Sequence, residues 1–409
     1  MRVAHINMTC FGSTGNIMLR IADQARTEGN EVWTYSPYPH PKEKNKKADS
    51  SEYHCFYGTK TERYTSLILG RIFGLNGLSM RRGTKKMIVD MKKKKVDLIH
   101  FHNLHSYCVY FPALIKFIKK NHIKVVWTLH DCWALTGNCA HFVSVHCEKW
   151  KKGCSYCPVL NCYPKSFLDN THVMYKFKKK WFTSIDDLTL VTPSKWLADL
   201  VKQSFLKDYS VHVIHNGINL DVFKPLQSDF RKKYGISQSK AILLGVAFEW
   251  GTRKGLDVFI NLSKRLDRDK YQIVLVGTNE SVDRLLPSNI ISIHRTHDQA
   301  ELAEIYTAAD LFVNPTREEN YPTVNMEAIA CGTPVLTFRT GGSPEILDET
   351  CGSVVECDDI DAMEREIIRI CDEKPYSVEA CINRAKLFDM NDHFDEYAKL
   401  YERMEDVKE

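Results

Sequence analysis

Two carboxylates eight positions apart, Glu319 and Glu327, stand on either side of a proline within the stretch Asp310–Leu347. The apolar run Leu311, Phe312, Val313 predicts a short buried strand in Asp310–Pro315. Pro322 fits the first helical position, where its fixed φ and missing N–H cost nothing. Val324–Cys331 carries apolar residues at helical spacing, and Gly332 fits the left-handed turn that closes a helix. Pro334–Phe338 is expected as a second strand, and Gly341-Gly342 opens the loop after it. A helix N-terminus offers N–H groups and the positive end of a dipole, which is a seat for phosphate. One acid then flanks that seat in the loop and the other lies along the helix. The layout suits a ligand with a central diphosphate and hydroxylated groups at both ends, a nucleotide sugar. For an isolated pair of acids the plainer reading, a solvated loop residue and an exposed helix residue, would prevail.

His130 ends the predicted strand Val125–Leu129 and is followed by Asp131. Open α/β sheets place working groups at such strand ends, although a lone histidine there is more often structural. His102 and His105 follow the predicted strand Asp97–Phe101 in the same way. Gly12 and Gly15 lie in the loop Cys10–Asn16, between the strand Val3–Asn7 and a helix expected over Ile17–Glu28. Glycines there let backbone come close to a ligand or to the helix, but the full dinucleotide fingerprint is missing. Cys139, Cys147, Cys154 and Cys157 are spaced by Trp150 and Gly153. A Cys-x-x-Cys with two further cysteines resembles a structural zinc site, with free buried thiols or a redox pair as the alternatives. The remaining ten of the 14 cysteines are scattered as small core residues would be.

The elements that must position these residues alternate strand and helix through both halves of the chain. At 409 residues it is long for one core and comfortable for two. Its 44% apolar and 26% charged content is that of a globular protein, and no run approaches the length needed to cross a bilayer. Met1-Arg-Val-Ala-His-Ile reads as a strand rather than a signal peptide, so a cytoplasmic protein is expected. The net charge of +5 hides a split. Residues 1–218 hold 33 Lys+Arg against 16 Asp+Glu, and the remainder holds 23 against 35. The first half is therefore expected to meet something anionic, a membrane surface, a lipid diphosphate or nucleic acid. Its clusters are Arg81, Arg82, Lys85 and Lys86 within the basic stretch 40–95, expected to be mobile or helical, and Lys176–Lys180 on a basic aromatic helix. Each cluster alone could be a solvated face.

The stretch from Glu319 onward resembles the signature of the large retaining glycosyltransferase family with the GT-B fold, family 4 or glycosyl transferases group 1, of the kind used in bacterial surface polysaccharide synthesis. Glu319, Glu327, Ala328, Gly332, Pro334, Val335, Gly341, Gly342 and Glu345 all fall where that pattern expects them, and Val213–Pro225 is similar to the family's interdomain connector. The resemblance implies two Rossmann-like domains facing across a cleft. It sets an acceptor-side domain at 1–218 with a Cys-rich insertion at 139–162, a donor-binding domain at 219–388, and a C-terminal helix at 389–409 returning to the first domain. It implies that Glu319 faces the donor sugar, Glu327 binds the ribose hydroxyls, and Lys254 binds the diphosphate. Arg295 and Thr296 fall in the base-binding loop, His130 lies beside the reacting sugar, and the Gly12–Gly15 loop lies next to donor and acceptor. His102 and His105 become acceptor contacts.

Two departures stand out. Asn320-Tyr321-Pro322, followed by Thr323, stands in place of the family's Gly-Phe-Gly, and proline removes one N–H that could have met the donor. Glu249 stands where the family has its arginine, so Arg253 is assigned that role. The implied activity is hexosyl transfer with retention, from a nucleotide sugar to a glycan or polyprenyl-diphosphate-linked glycan, at the inner face of the cell membrane. No cofactor is expected for catalysis and no nucleic acid as partner. The Asp-x-Asp matches, Asp267–Asp269 and Asp359–Asp361, sit at predicted helix ends, which speaks against a metal-dependent single-domain enzyme. The rival expectations are an epimerase or hydrolase of the same fold, and a non-enzymatic zinc-containing nucleic-acid-binding protein.

Overall fold

Short runs of branched and aromatic residues become thirteen strands among the described residues of a computed structural model, which describes residues 1–37, 53–106 and 108–406. The chain divides into two units, Met1–His215 with His393–Glu409, and Asn216–Asp392.

The first unit holds β1 (Arg2–Ile6), β2 (Glu31–Ser36), β3 (His54–Phe56), β4 (Leu98–Phe101), β5 (Lys124–Thr128), β6 (Leu188–Thr192) and β7 (Ser210–Val213). They form one sheet in the order β3-β2-β1-β4-β5-β6-β7, with every pairing parallel. Parallel strands need helical crossovers that cover both faces, which is why β4 and β6 are buried along their whole length. The order reverses between β1 and β4. Loops leaving two such strands diverge and open a crevice at their carboxyl ends. Ile6 pairs with Phe101, so the chain leaves both strands at one level. There Asn103 N–H donates to Asn7 Oδ1 at 3.0 Å, and Met8 N–H to the Asn103 carbonyl at 2.9 Å.

The second unit holds β8 (Ala241–Val246), β9 (Tyr271–Val276), β10 (Ile290–Ile293), β11 (Leu311–Asn314), β12 (Val335–Phe338) and β13 (Gly352–Val355). Its sheet is parallel too, in the order β10-β9-β8-β11-β12-β13, and reverses between β8 and β11. The C-terminal helix Met390–Asp406 buries Phe394, Tyr397, Leu400, Tyr401 and Met404, a helical spacing that lays one face on the first unit from His393 onward.

Several elements differ from expectation. The first helix is Gly12–Thr27, not Ile17–Glu28, so Gly12 and Gly15 sit in its opening turns rather than in a loop. Phe11 is extended and turns the chain into the helix, and a Cβ on Gly15 would lie 2.7 Å from the Cys10 carbonyl carbon. That glycine is demanded by the chain's own turn. The basic stretch supplies β3 and the helices Lys60–Phe73 and Arg81–Lys93, while its residues 40–52 lie outside the described residues.

Candidate functional site

In the second unit the loops after β8, β11 and β12 meet at the point where the strand order reverses. After β8 the chain makes the turn Thr252–Lys254 and then Gly255, whose φ is +73°. A Cβ on Gly255 would stand 2.4 Å from the Pro315 carbonyl oxygen, so only glycine lets this turn press on the loop after β11. After β12, Gly341 has φ +53°, and a Cβ there would stand 1.7 Å from the Glu319 carbonyl oxygen. Gly342 N–H donates to the Asn320 carbonyl at 2.8 Å. Thus braced, Glu319 forms an ion pair with Lys254 Nζ, each side chain about one-fifth exposed. The helix Thr323–Ala330 starts four residues beyond Glu319 with Pro322 at its cap, and no side chain caps it. Asn325 N–H turns back onto the Pro322 carbonyl at 3.1 Å, and the Thr323 and Val324 N–H groups ahead of it stand at the positive end of the helix dipole.

Glu327 lies one turn into that helix. Burial pushes its carboxyl up to about 7, against hydrogen bonds from Tyr306 and Thr323 that favour the anion. Tyr306 Oη donates to it at 3.1 Å from the helix Gln299–Ala308. Two buried polar atoms near these loops have no partner among the described residues, Asn325 Nδ2 and Ser343 Oγ. Arg253 is exposed, and its carbonyl accepts from Arg317 N–H at 2.9 Å. Tyr321 is buried with its ring edge-on to Phe388, and Asn320 and Pro322 are buried beside it. Arg295 and Thr296 follow β10 at the edge of the sheet, with Arg295 exposed.

In the first unit His130 and His102, at the ends of adjacent strands, are joined through His130 Nε2 and His102 Nδ1 at 3.1 Å. The contact extends into a buried chain. His102 Nε2 meets His5 Nδ1 at 3.1 Å, His5 Nε2 meets Tyr401 Oη at 3.3 Å, and Tyr401 Oη meets His100 Nδ1 at 2.5 Å. His100 Nε2 meets Thr128 Oγ1 at 2.8 Å, and Thr128 donates to Tyr397 Oη at 3.2 Å. Burial holds these rings neutral, pushing His5 down to about 3 and His130 to about 4, and lowering His100 and His102 strongly. A neutral imidazole has one donor and one acceptor. With the Thr128 proton given to Tyr397, each link is fixed in turn, and His130 ends with its proton on Nε2 and Nδ1 as an acceptor. His105 Nε2 pairs with Asp131 at 3.1 Å, and His105 Nδ1 meets Tyr163 Oη at 2.8 Å. Burial would raise the Asp131 carboxyl, but His105 and the Trp133 N–H hold it down at about 2.

Cys139, Cys147, Cys154 and Cys157 line one small cavity, and Cys139 and Cys157 are hydrogen-bonded to each other. They are gathered more loosely than His5, His100 and His102, the set of ligand-type atoms that lie within 4.8 Å of one another among the described residues. The ring nitrogens of those histidines are already engaged in the chain above. Of the basic clusters, Arg81, Arg82, Lys85, Lys86, Lys176, Lys179 and Lys180 are exposed. Lys178 is fully buried and must be struck from the surface set, because it lies on the inner face of the helix Thr171–Phe182.

The profile described as Glycosyltransferase Family 4 matches residues 14–222, more than half of the chain. The chain belongs to glycosyltransferase family 4. A profile described as Glycosyl transferases group 1 matches residues 240–373. WcaC of Escherichia coli K12, named for colanic acid biosynthesis as a glycosyl transferase, is 28% identical over 273 residues. That alignment covers 64% of this chain and 65% of WcaC, just under two thirds of the relative's length. Sucrose-phosphate synthase from Thermosynechococcus elongatus superposes with a TM-score of 0.71 at 17% identity, covering 100% of both chains. HepE of Anabaena, solved in complex with UDP-glucose, superposes with a TM-score of 0.68 at 13% identity, covering 98% of this chain and 100% of HepE. The two parallel-sheet, Rossmann-like units of the family 4 chain have the GT-B fold. No helix among the described residues is long and apolar enough to cross a membrane.

Proposed function

We propose that this family 4 glycosyltransferase moves a hexosyl group, with retention of configuration, from a nucleotide sugar held by the second unit to a glycan or lipid-diphosphate-linked glycan. The observation that carries the reading is the Lys254–Glu319 pair, set at the reversal of the sheet beside an uncapped helix start. The UDP-glucose bound by HepE and the colanic acid biosynthesis in WcaC's name support the substrate classes. As the bond from the anomeric carbon to the phosphate oxygen breaks, charge gathers on the leaving diphosphate. Lys254 and the first N–H groups of Thr323–Ala330 meet that charge where it develops, the kind of fixed stabilisation that contributes most to rate. The acceptor hydroxyl forms its new bond on the face the phosphate leaves and passes its proton to the departing phosphate oxygen. Glu319 faces the transferred sugar, and Glu327 with Tyr306 receives the ribose hydroxyls. His130, held Nε2-protonated by the hydrogen-bonded chain, orients the acceptor in the first unit.

The first unit takes the acceptor side and docks on an anionic leaflet. Besides its exposed basic clusters, the helix Lys60–Phe73 exposes Tyr64, Ile68 and Ile72. Phe167 and Leu168 extend that surface, because their N–H groups donate to the Arg71 and Ile72 carbonyls at 2.9 Å. An apolar face flanked by lysine and arginine is what a helix lying in a membrane interface presents.

A panel of UDP-, GDP- and ADP-sugars, scored by protection against thermal unfolding, tests the donor assignment. One class should raise the midpoint, since a ligand at about 100 times its Kd stabilises by about 2.7 kcal/mol. Lys254→Ala should lose most of that protection. If no nucleotide sugar protects the folded wild type, the reading falls.

A further inference from the structure

The cysteine-rich segment takes no part in the transfer chemistry proposed above, and three features meet there. Cys139, Cys147, Cys154 and Cys157 face one cavity together with Phe142 and Trp150. Backbone N–H groups are aimed at two of the sulfurs, Gly137 at Cys154 Sγ (3.1 Å) and Val159 at Cys157. Donors so placed favour thiolate over thiol, and such outer hydrogen bonds accompany metal-bound ligands.

The second feature is Lys178. It is fully buried, with Nζ on the carbonyls of Trp133 and Thr136 (2.8 Å to the latter) and 3.5 Å from the centroid of the Trp133 ring. Burial pushes this ammonium down to about 7, against Cys154, Cys139 and Asp131, which favour its charged form. A buried ammonium that is not compensated costs several kcal/mol, and the Asp131 carboxylate is already engaged by His105 and the Trp133 N–H. The segment that holds this ammonium also serves the cluster, since Thr136 Oγ1 donates to the Cys139 carbonyl and Gly137 N–H to Cys154 Sγ. Four thiolates around a divalent cation carry a net charge of −2, and an ammonium on that segment offsets part of it. The third feature is what the cluster secures. Cys157 N–H donates to Asp169 Oδ2 at 2.7 Å, and Asp169 follows directly on Phe167 and Leu168, the loop that pairs with the end of Lys60–Phe73.

We infer that Cys139, Cys147, Cys154 and Cys157 hold one structural zinc ion, with the buried Lys178 as its counter-charge, and that the site fixes the loop carrying Phe167 and Leu168. Thiolate sets select zinc among abundant divalent metals, and a closed four-sulfur set is the structural rather than the catalytic arrangement. On binding, four S–H groups give their protons to solvent and four sulfur–zinc bonds form. Cys147 and Cys157 are only partly buried, so their side chains can rotate inward to close the shell. This site does not depend on the donor assignment.

The test is elemental analysis of the full chain purified without added metal, with cobalt substitution as a second readout. One zinc per chain is expected, absent from the Cys154→Ser/Cys157→Ser variant. Cobalt-loaded wild type should show thiolate-to-cobalt charge-transfer absorption with tetrahedral d–d bands, which speaks for the site even if the double variant fails to fold. Lys178→Met should surrender zinc to a chelator roughly tenfold faster, in the range typical for loss of an outer partner. A zinc-free wild type that also refuses cobalt overturns the site, as does a thiol titration two short of the full count with no metal bound, the mark of a Cys139–Cys157 disulfide. An unchanged release rate in Lys178→Met removes the counter-charge role.

Discussion

Burial acts on Glu327 and His130 in opposite senses. It pushes the Glu327 carboxyl up from 4.5 to about 7 and the His130 ring down from 6.5 to about 4, so each is held towards its neutral form. For Glu327 the folded value lies above the unfolded one. Its contribution to stability is therefore full below about pH 4.5 and is lost as pH rises through 7. Glu327→Gln keeps the shape and removes the titration, so its thermal midpoint relative to wild type should climb between pH 5 and pH 8, by an amount corresponding to about 1–3 kcal/mol. A difference that stays constant across that range contradicts the buried-carboxyl account. Glu327 was legible from its spacing to Glu319, since both belong to one local strand–loop–helix unit. Its partner Tyr306 was not, because nothing in a tyrosine within an ordinary helix signals which acid it will meet in space.

The elements around the donor seat were legible for the same local reason. Proline and glycine punctuate β11, the helix Thr323–Ala330 and β12 within a few residues of their observed ends. What failed was short or tertiary. β3 is three residues long and only partly buried, and β13 begins on glycine, so neither carries a run that stands out. The C-terminal helix was expected to return to the first unit, but its chemical consequence was invisible: Tyr401 closes the hydrogen-bonded chain from His100 through His5 and His102 to His130. Tyr401→Phe should release the tautomer of His130, read as a shift of its ring nitrogens from a single Nε2–H form towards a mixture. Transfer should fall about tenfold while donor affinity holds, since the proposed donor seat lies in the other unit. Phenylalanine keeps the packing, so an unchanged nitrogen spectrum would reduce Tyr401 to a core residue.

At the scale of the whole molecule, the charge split was legible from composition, whereas the apolar helix face proposed to lie beside it was not. Lys60–Phe73 lay within a basic stretch with no clear pattern, and its exposed Tyr64, Ile68 and Ile72 emerge only once the helix is placed. Conversely Lys178, one of five residues in a basic run, turned out to be interior. Each lysine or arginine near an anionic leaflet contributes about 1 kcal/mol, so the exposed clusters suffice for peripheral docking. The protein should sediment with anionic vesicles at low salt, and Ile68→Asp should weaken that binding. Attraction should fade as salt rises, because surface charges are screened within about 10 Å at 0.1 M. Equal binding to neutral vesicles, or none to anionic ones at low salt, would leave a soluble acceptor as the better account.

The central claim is that Lys254 and Glu319 bind and activate a nucleotide sugar, and the transfer rate of Lys254→Ala and Glu319→Ala, measured with the donor that protects the wild type, tests it most directly. Both side chains are partly exposed in loops, so the variants should keep the wild-type circular dichroism and a cooperative melt. Loss of one contact to developing charge costs on the order of a hundredfold or more in rate, and that is the fall predicted for each. Full transfer activity in both folded variants would contradict the account.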